Sequence, residues 1–418
     1  MRFLRDAEIE DTLRTFATPV WRAAGLDPAA VHIYIIDDPA LNSFVAGGQN
    51  LFMNTGTMMR SESPNQLVGI MAHETGHIAG GHIARSEDAM RKATYESLAA
   101  MVLGVALAAV TGGAGGAALL GASGVGERAW LEYSIEQEAR ADQAALTFLD
   151  RTHQSARGFL QFFEILQQQE FLTGQREVPY LRTHPLTDQR IEYVREHVKN
   201  SPYSDAPDPA AWVVLHQRMK AKLTGFLSAP QDTLSAYKET DSSLSARYAR
   251  AIAFYRIPDL GHALPAIDGL IRDYPNDPYF FELKGQMLFE NGRIAEAVGP
   301  YEQAVKLRPS SALLRLELAQ VQLETNDPAL AHKALLHLEE VVRAEDANSE
   351  AWRLLAVAYG RAGNIGMMAM ALAEQGASSG NNDMARQQAM RAIKLLPPGP
   401  ARQRAQDIAD EAKRNQDK

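Results

Sequence analysis

From about residue 241 onward the chain repeats itself with a period of 34: Ala251 and Gly285, Ala263 and Ala297, and Pro275 and Pro309 each stand one period apart. A period of this length holds one helix pair and is too short for a core of its own. Each pair must therefore bury its apolar face against the next, which commits this half of the chain to a helical array. Within 278–311, Phe281, Gly285, Leu288, Ala297, Tyr301, Ala304 and Pro309 occur in the order that such a pair requires. Small residues let two helices approach, the aromatic ring fills the gap, and proline ends the second helix.

The pattern is similar to the tetratricopeptide repeat, with a generic helical array as the alternative. Ala319 and Ala331 continue it with a longer second helix, and Trp352, Ala356 and Tyr359 open another unit. "MARQQAMRAIKLLPPGP" is expected to be a late second helix.

At 418 residues the chain is too long for one ordinary core. A stretch around 198–210, "KNSPYSDAPDPA", is rich in Pro, Ser and Asp and is expected to mark a domain boundary. The expected division is a first domain over 1–200, a linker and connecting helix over 201–240, and the repeat array over 241–418. A net charge of −9 leaves no basic footprint for nucleic acid. The absence of cysteine excludes disulfides, thiolate metal sites and a cysteine nucleophile, so any metal falls to histidine and carboxylate.

In the first domain, residues 5–24 have the spacing of an amphipathic helix, Gly25-Leu26-Asp27-Pro28 punctuate it, and "VHIYIID" at 31–37 is expected to be the first strand. "NSFVAGGQNLFMNTG" predicts a hairpin turning at Gly47-Gly48. Ser63, Pro64 and Gln66 carry the signature of a helix start. That helix is expected to run past Arg85 toward Glu96. A further helix is expected over "ERAWLEYSIEQEARADQAALTFLDR". The fold class expected is α+β and mostly helical, with a small sheet in the first domain.

Between the two helices, Ser97–Gly126 carries no charge, but its second half is Gly-rich. A buried or membrane-touching connection is expected there, with a bilayer span as the alternative. Met1-Arg2-Phe3-Leu4 leads straight into the first helix. An exported form would need a leader that this sequence does not carry.

His73-Glu74-Thr75-Gly76-His77 lies within the first of these two helices. Positions four apart share a helical face, so both imidazoles can reach one zinc ion, and Glu74 stands beside it to take a proton from water. Gly76 costs about 1 kcal/mol relative to alanine in a helix, which is tolerable where a neighbouring element comes close. His82 is one residue short of the third ligand in the H-E-x-x-H-x-x-G-x-x-H pattern, because position 83 is Ile83. It is expected to be solvated or to support a ligand. A better third ligand is Glu138: with Asp142 it occupies one face of the second helix, and Ala139, Ala141 and Ala145 leave room for approach. Glu136 and Glu132 remain open as competitors. His184, before Pro185, is expected in a turn, where it is either an exposed loop residue, a group that stabilises an oxyanion, or an occupant of the open metal position. His32, His153, His197, His216, His262, His332 and His337 are expected to be structural or on the surface.

Taken together, "RDAEIED", the hairpin, "MAHETGHIAGGH", the arrangement Ser134, Glu138, Ala141, Asp142, the segment "HPLTDQRI" and the C-terminal repeats resemble the gluzincin metalloproteases of the HtpX and CAAX-prenyl protease class. Within that class the sequence is most similar to the periplasmic, tetratricopeptide-containing BepA-like group of beta-barrel assembly-enhancing proteases. The resemblance implies a zincin-like domain followed by an all-α repeat array. It implies one zinc held by His73, His77 and Glu138, with Glu74 and His184 as catalytic groups and Asp142 and Arg190 supporting the ligands. Substrate backbone would add as a strand along Asn42, Ser43, Phe44, Val45 and Ala46. Two positions depart from the pattern: Ile135 follows Ser134 where relatives often carry arginine, and Arg140 stands where they often carry an acid.

The function expected is a zinc endopeptidase in cell-envelope quality control, located in the periplasm and peripherally associated with membrane through 97–126. Its repeats would recruit protein substrates or the outer-membrane assembly machinery. The alternatives are a chaperone or adaptor with a latent protease, and a membrane-embedded protease that spans the bilayer through Ser97–Gly126.

Overall fold

A computed structural model describes residues 2–82, 135–173 and 179–416. It divides into two compact units, Met1–Thr224 and Gly225–Lys418. The stretch around 198–210 lies inside the first unit. Ser155 Oγ and Arg157 Nε donate to the carbonyl of Ser204 at 2.7 and 2.9 Å, which ties this segment down.

The first unit opens with β1 (Phe3–Leu4) and α1 (Ala7–Ala23). Asp6 caps α1 by accepting from the Ile9 amide at 3.0 Å, and Ile9, Leu13, Phe16 and Val20 bury one face. The sheet has the order β1-β2-β4-β3, where β2 is His32–Ile36, β3 Ser43–Ala46 and β4 Asn50–Asn54. The strand expected to come first is thus second, because a two-residue β1 is too short to show alternation. β3 and β4 form the expected hairpin, with Ser43 opposite Met53 and Ala46 opposite Asn50. Its turn uses left-handed backbone at Gly47 and Gly48, φ +58° and +98°. Among the described residues β3 is an edge strand, paired with β4.

After α2 (Thr55–Arg60) comes α3 (Pro64–Ala79). Ser63 Oγ accepts from the Gln66 amide at 3.3 Å, while the Gln66 side chain reaches back to the Glu62 amide at 2.9 Å. α3 does not run on toward Glu96. It ends at Ala79 because Gly81 takes φ +62°, and the Gly80 and Gly81 amides close onto the Gly76 and Ile78 carbonyls. Among the described residues there follow α4 (135–151), α5 (Arg157–Thr173), α6 (Pro179–Thr183), α7 (Asp188–Asn200) and α8 (Ala210–Leu227). α3 and α5 pack closely at Gly69, where a Cβ would stand 2.6 Å from Phe159 Cβ.

The second unit stacks helix pairs: Leu244–Arg256 with Leu260–Asp273, Pro278–Glu290 with Ile294–Leu307, Ala312–Glu324 with Pro328–Ala344, and Ser349–Arg361 with Ile365–Ser378. Close approach at Gly285 is visible directly, since a Cβ there would lie 2.5 Å from the Tyr301 ring. The longer second helix after Ala319 spans 17 residues where its predecessor has 14. Asn382–Leu395 differs from expectation. It is the first helix of a final pair with Pro400–Gln416, because Ala385, Ala389 and Ala392 are buried in the cluster that both flanking helices share.

Among the described residues no helix is long and apolar enough to cross a membrane. The membrane-touching segment proposed for Ser97–Gly126 lies outside the described residues.

Candidate metal centre

The centre is made where α3 crosses α4. A Cβ at Gly76 would stand 2.7 Å from the Ala141 carbonyl oxygen and 3.0 Å from its Cα, so the crossing exists only with glycine at 76. Ala141 and Ala145 are fully buried there, whereas Ala139, expected to share that face, is exposed. The crossing brings the His73/His77 face of α3 onto the Glu138/Asp142 face of α4. Glu136 points away, exposed and paired with Arg140 at 2.6 Å. Glu132 and Ser134 lie outside the described residues.

Glu138 sits between the imidazoles: its Oε2 is 3.2 Å from His73 Nε2 and its Oε1 is 3.2 Å from His77 Nε2. The two histidine Nε2 atoms are 3.1 Å apart. His184 closes the group from the turn that follows α6, with Nδ1 at 3.1 Å from Glu138 Oε1 and 3.4 Å from His73 Nε2. Donor atoms of His73, His77, Glu138 and His184 thus lie within 4.8 Å of one another, and all four residues are buried.

Around them runs a second set of bonds. Asp142 Oδ1 is 2.9 Å from His73 Nδ1, and Arg190 holds Asp142 through Nε at 2.6 Å and Nη2 at 2.9 Å. Arg190 Nη1 also reaches Glu138 Oε2 at 2.9 Å and the Pro185 carbonyl at 2.7 Å. One guanidinium therefore ties α4 to the turn that carries His184. That turn is further fixed by Tyr180, whose carbonyl accepts from the His184 amide at 2.8 Å and whose ring stacks on the imidazole at 4.5 Å. No periodicity in the sequence singles out Tyr180. His82, expected to be solvated or beside a ligand, is buried against His77 and is not among the four converging donors.

The electrostatics follow from burial. It works against ionised Glu138, but His184 and Arg190 hold that carboxyl well below the usual range, and Arg190 also lowers Asp142. Burial pushes Glu74 up to about 7 against the pull of His184 and His73. Burial also lowers His77, to about 3. For His73 burial is outweighed by the hydrogen bonds to Asp142 and Glu138, which raise it to about 9.

Among the described residues, both oxygens of Glu74 and Nε2 of His184 are buried without a hydrogen-bond partner, and they face each other at 3.6 Å between Glu74 Oε1 and His184 Nε2. Orphaned polar atoms beside converging imidazoles and a carboxylate are costly unless a further group satisfies them. A divalent metal with nitrogen and oxygen ligands fits this donor set of His73, His77, Glu138 and His184.

Asn42 to Ala46, expected to hold substrate, form the sheet edge. Asn42 exchanges hydrogen bonds with Thr57 Oγ1 at 2.9 and 2.8 Å, and Ser43 Oγ donates to the Phe52 carbonyl at 3.1 Å. Phe44 stacks on Phe52 at 4.8 Å. Val45 and Ala46 continue the strand.

Residues 4–198 match the profile of peptidase family M48, and 248–312 and 282–336 match that of the tetratricopeptide repeat. The beta-barrel assembly-enhancing protease of Yersinia pestis is 24% identical over 359 residues, covering 84% of this chain and 72% of that protein. Its counterpart in Escherichia coli (strain K12) is 24% identical over 363 residues, covering 85% and 72%. The E. coli metalloprotease YcaL is 26% identical over 175 residues, 41% of this chain and 63% of that protein. The first unit is thus a peptidase family M48 domain, the second an array of tetratricopeptide repeats, and the chain a metalloendopeptidase.

Proposed function

We propose that the protein is a zinc endopeptidase of the cell envelope that cleaves misfolded or misassembled proteins recruited by its repeats. The observation that supports this most directly is the buried convergence of His73, His77 and Glu138 with the unsatisfied carboxylate of Glu74 beside them. His73, His77 and Glu138 would hold zinc, which when bound would supply a Lewis acid for the peptide carbonyl and lower the pKa of water. Glu74, raised by burial to about 7, accepts the proton of the attacking water and passes it to the departing amine. His184, across from Glu74, donates to the carbonyl oxygen as negative charge develops there. Asp142 and Arg190 keep His73 and Glu138 in register. The edge that β3 leaves unpaired among the described residues, at Asn42–Ala46, is suited to bind an extended substrate strand by backbone pairing.

The names of the relatives place them in beta-barrel assembly, and we carry that process to this chain: its substrates are outer-membrane proteins or their assembly partners, met in the periplasm. Peripheral membrane contact through 97–126 belongs to the same proposal.

The test is metal analysis and peptide hydrolysis of the wild type beside Glu74→Gln, Glu138→Gln and Glu136→Gln. Glu74→Gln should keep its zinc and lose about 10²–10⁴-fold in rate. Glu138→Gln should lose zinc and Glu136→Gln should not. Zinc lost only from the Glu136 variant overturns the ligand assignment.

A further inference from the structure

His82 is the histidine that the metal centre leaves over, yet it is only 4% exposed. Its Nδ1 lies 3.1 Å from His77 Nδ1, and the two rings meet edge-on at 81°. The end of α3 is built to place it there. Gly81 turns the chain at φ +62°, and a Cβ at Gly80 would stand 2.3 Å from His82 Nε2. Only a residue without a side chain at 80 lets the imidazole fold back over the last helical turn onto His77.

The two ring nitrogens of His77 face different surroundings. Nε2 points into the centre, 3.1 Å from His73 Nε2 and 3.2 Å from Glu138 Oε1. Nδ1 points away, at His82. An imidazole that gives its Nε2 lone pair to a cation keeps its proton on Nδ1, and that proton needs an acceptor. We infer that His82 Nδ1 is this acceptor: it holds the proton of His77 on Nδ1, keeps the His77 Nε2 lone pair bare for metal and fixes the plane of the ring. His82 then carries its own proton on Nε2. It is a positioning residue for His77, as Asp142, 2.9 Å from His73 Nδ1, is for His73. Each histidine one helical turn from the other thus has its own outer partner, one a carboxylate and one a neutral imidazole. This rests on the metal site proposed above.

The experiment measures zinc affinity by competition with a chromophoric chelator in wild type, His82→Gln and His82→Leu. Glutamine restores an acceptor oxygen on a flexible stem, whereas leucine offers none. Leucine should weaken zinc binding about 10–100-fold, and glutamine should recover most of the loss. Leucine binding as tightly as wild type, or both variants weakened equally, overturns the assignment while leaving the enzyme's zinc site standing. A wild type that takes up no zinc overturns both proposals. If the leucine variant melts early, the cobalt-substituted wild type decides: a slowly exchanging, paramagnetically shifted Nδ1–H resonance of His77 is expected, lost on His82→Leu and kept on His82→Gln. A His77 ring with no such resonance overturns the inference.

Discussion

Gly76 shows how one residue sets the whole centre. In an isolated helix Gly76→Ala would gain about 1 kcal/mol. Here the new Cβ would meet the Ala141 backbone at 2.7 Å, and backbone cannot rotate aside. Overpacking of that kind costs about 1–3 kcal/mol, so the net effect should be destabilising. Moving α4 outward also carries Glu138 away from His73 and His77. Chemical denaturation and chelator competition on Gly76→Ala should therefore show lower stability together with weaker metal binding. A stabilised variant with full affinity would show that the crossing tolerates a side chain. At this scale much of the centre was legible in the sequence. The spacing of His73 and His77 defines one face, that of Glu138 and Asp142 another, and Gly76 announces a close neighbour. For His82 the choice between solvent and a ligand stayed open, because its contact with His77 depends on a left-handed turn at Gly81, and Tyr180 was not legible at all, because it stands on a five-residue helix that no periodicity marks.

At the scale of elements, α8 stands in the stretch expected to hold a linker and connecting helix, and it covers α1 with buried charge. Arg218 Nη2 lies 2.6 Å from Glu8, and Lys222 Nζ lies 2.8 Å from Asp6 and 3.4 Å from Glu8. In sequence Glu8 belongs to the polar side of an amphipathic helix, and nothing local tells that two cations will cover it. Glu8→Ala takes away the carboxylate that both cations face and should cost about 3–5 kcal/mol in urea unfolding. A loss below 1 kcal/mol would mean that water reaches the cluster. The same helix carries His216, whose Nε2 is 2.7 Å from Ser61 Oγ. Ser61 donates its own proton to the Met58 carbonyl at 2.7 Å, so His216 is the donor in this pair. Burial, aided by the charge of Lys220, pushes His216 down to about 4. The unfolded chain takes up that proton near 6.5 and the folded chain does not until about 4. The unfolded state therefore binds more protons in this window, and stability should fall as pH drops through it. His216→Gln keeps a donor without titrating. The stability difference between wild type and variant should change between pH 7 and 4, and a difference flat across that window would refute the burial effect.

For the molecule as a whole, legibility tracks the range of the contacts. The repeats announce themselves because each helix packs on its sequence neighbours, and a fixed period records that directly. The metal centre joins His73 to a histidine 111 positions away, a pairing that no window of sequence contains. Since the two units have separate cores, they should respond to different perturbations. Metal at about 100 times its dissociation constant adds about 2.7 kcal/mol to the state that binds it. For a domain of this size that corresponds to about 5–10 °C in melting temperature. Gly285→Val instead presses a side chain toward the Tyr301 ring, 2.5 Å from where Cβ must sit, within the repeats. It should cost about 1–3 kcal/mol there. In scanning calorimetry, chelation should lower one transition and Gly285→Val the other, each leaving its counterpart in place. Because His73, His77 and Glu138 all belong to the first unit, the transition that chelation moves must be that of the peptidase domain. If both treatments lowered a single transition, the two cores would be melting as one cooperative block and the division at Thr224 would have no thermodynamic meaning.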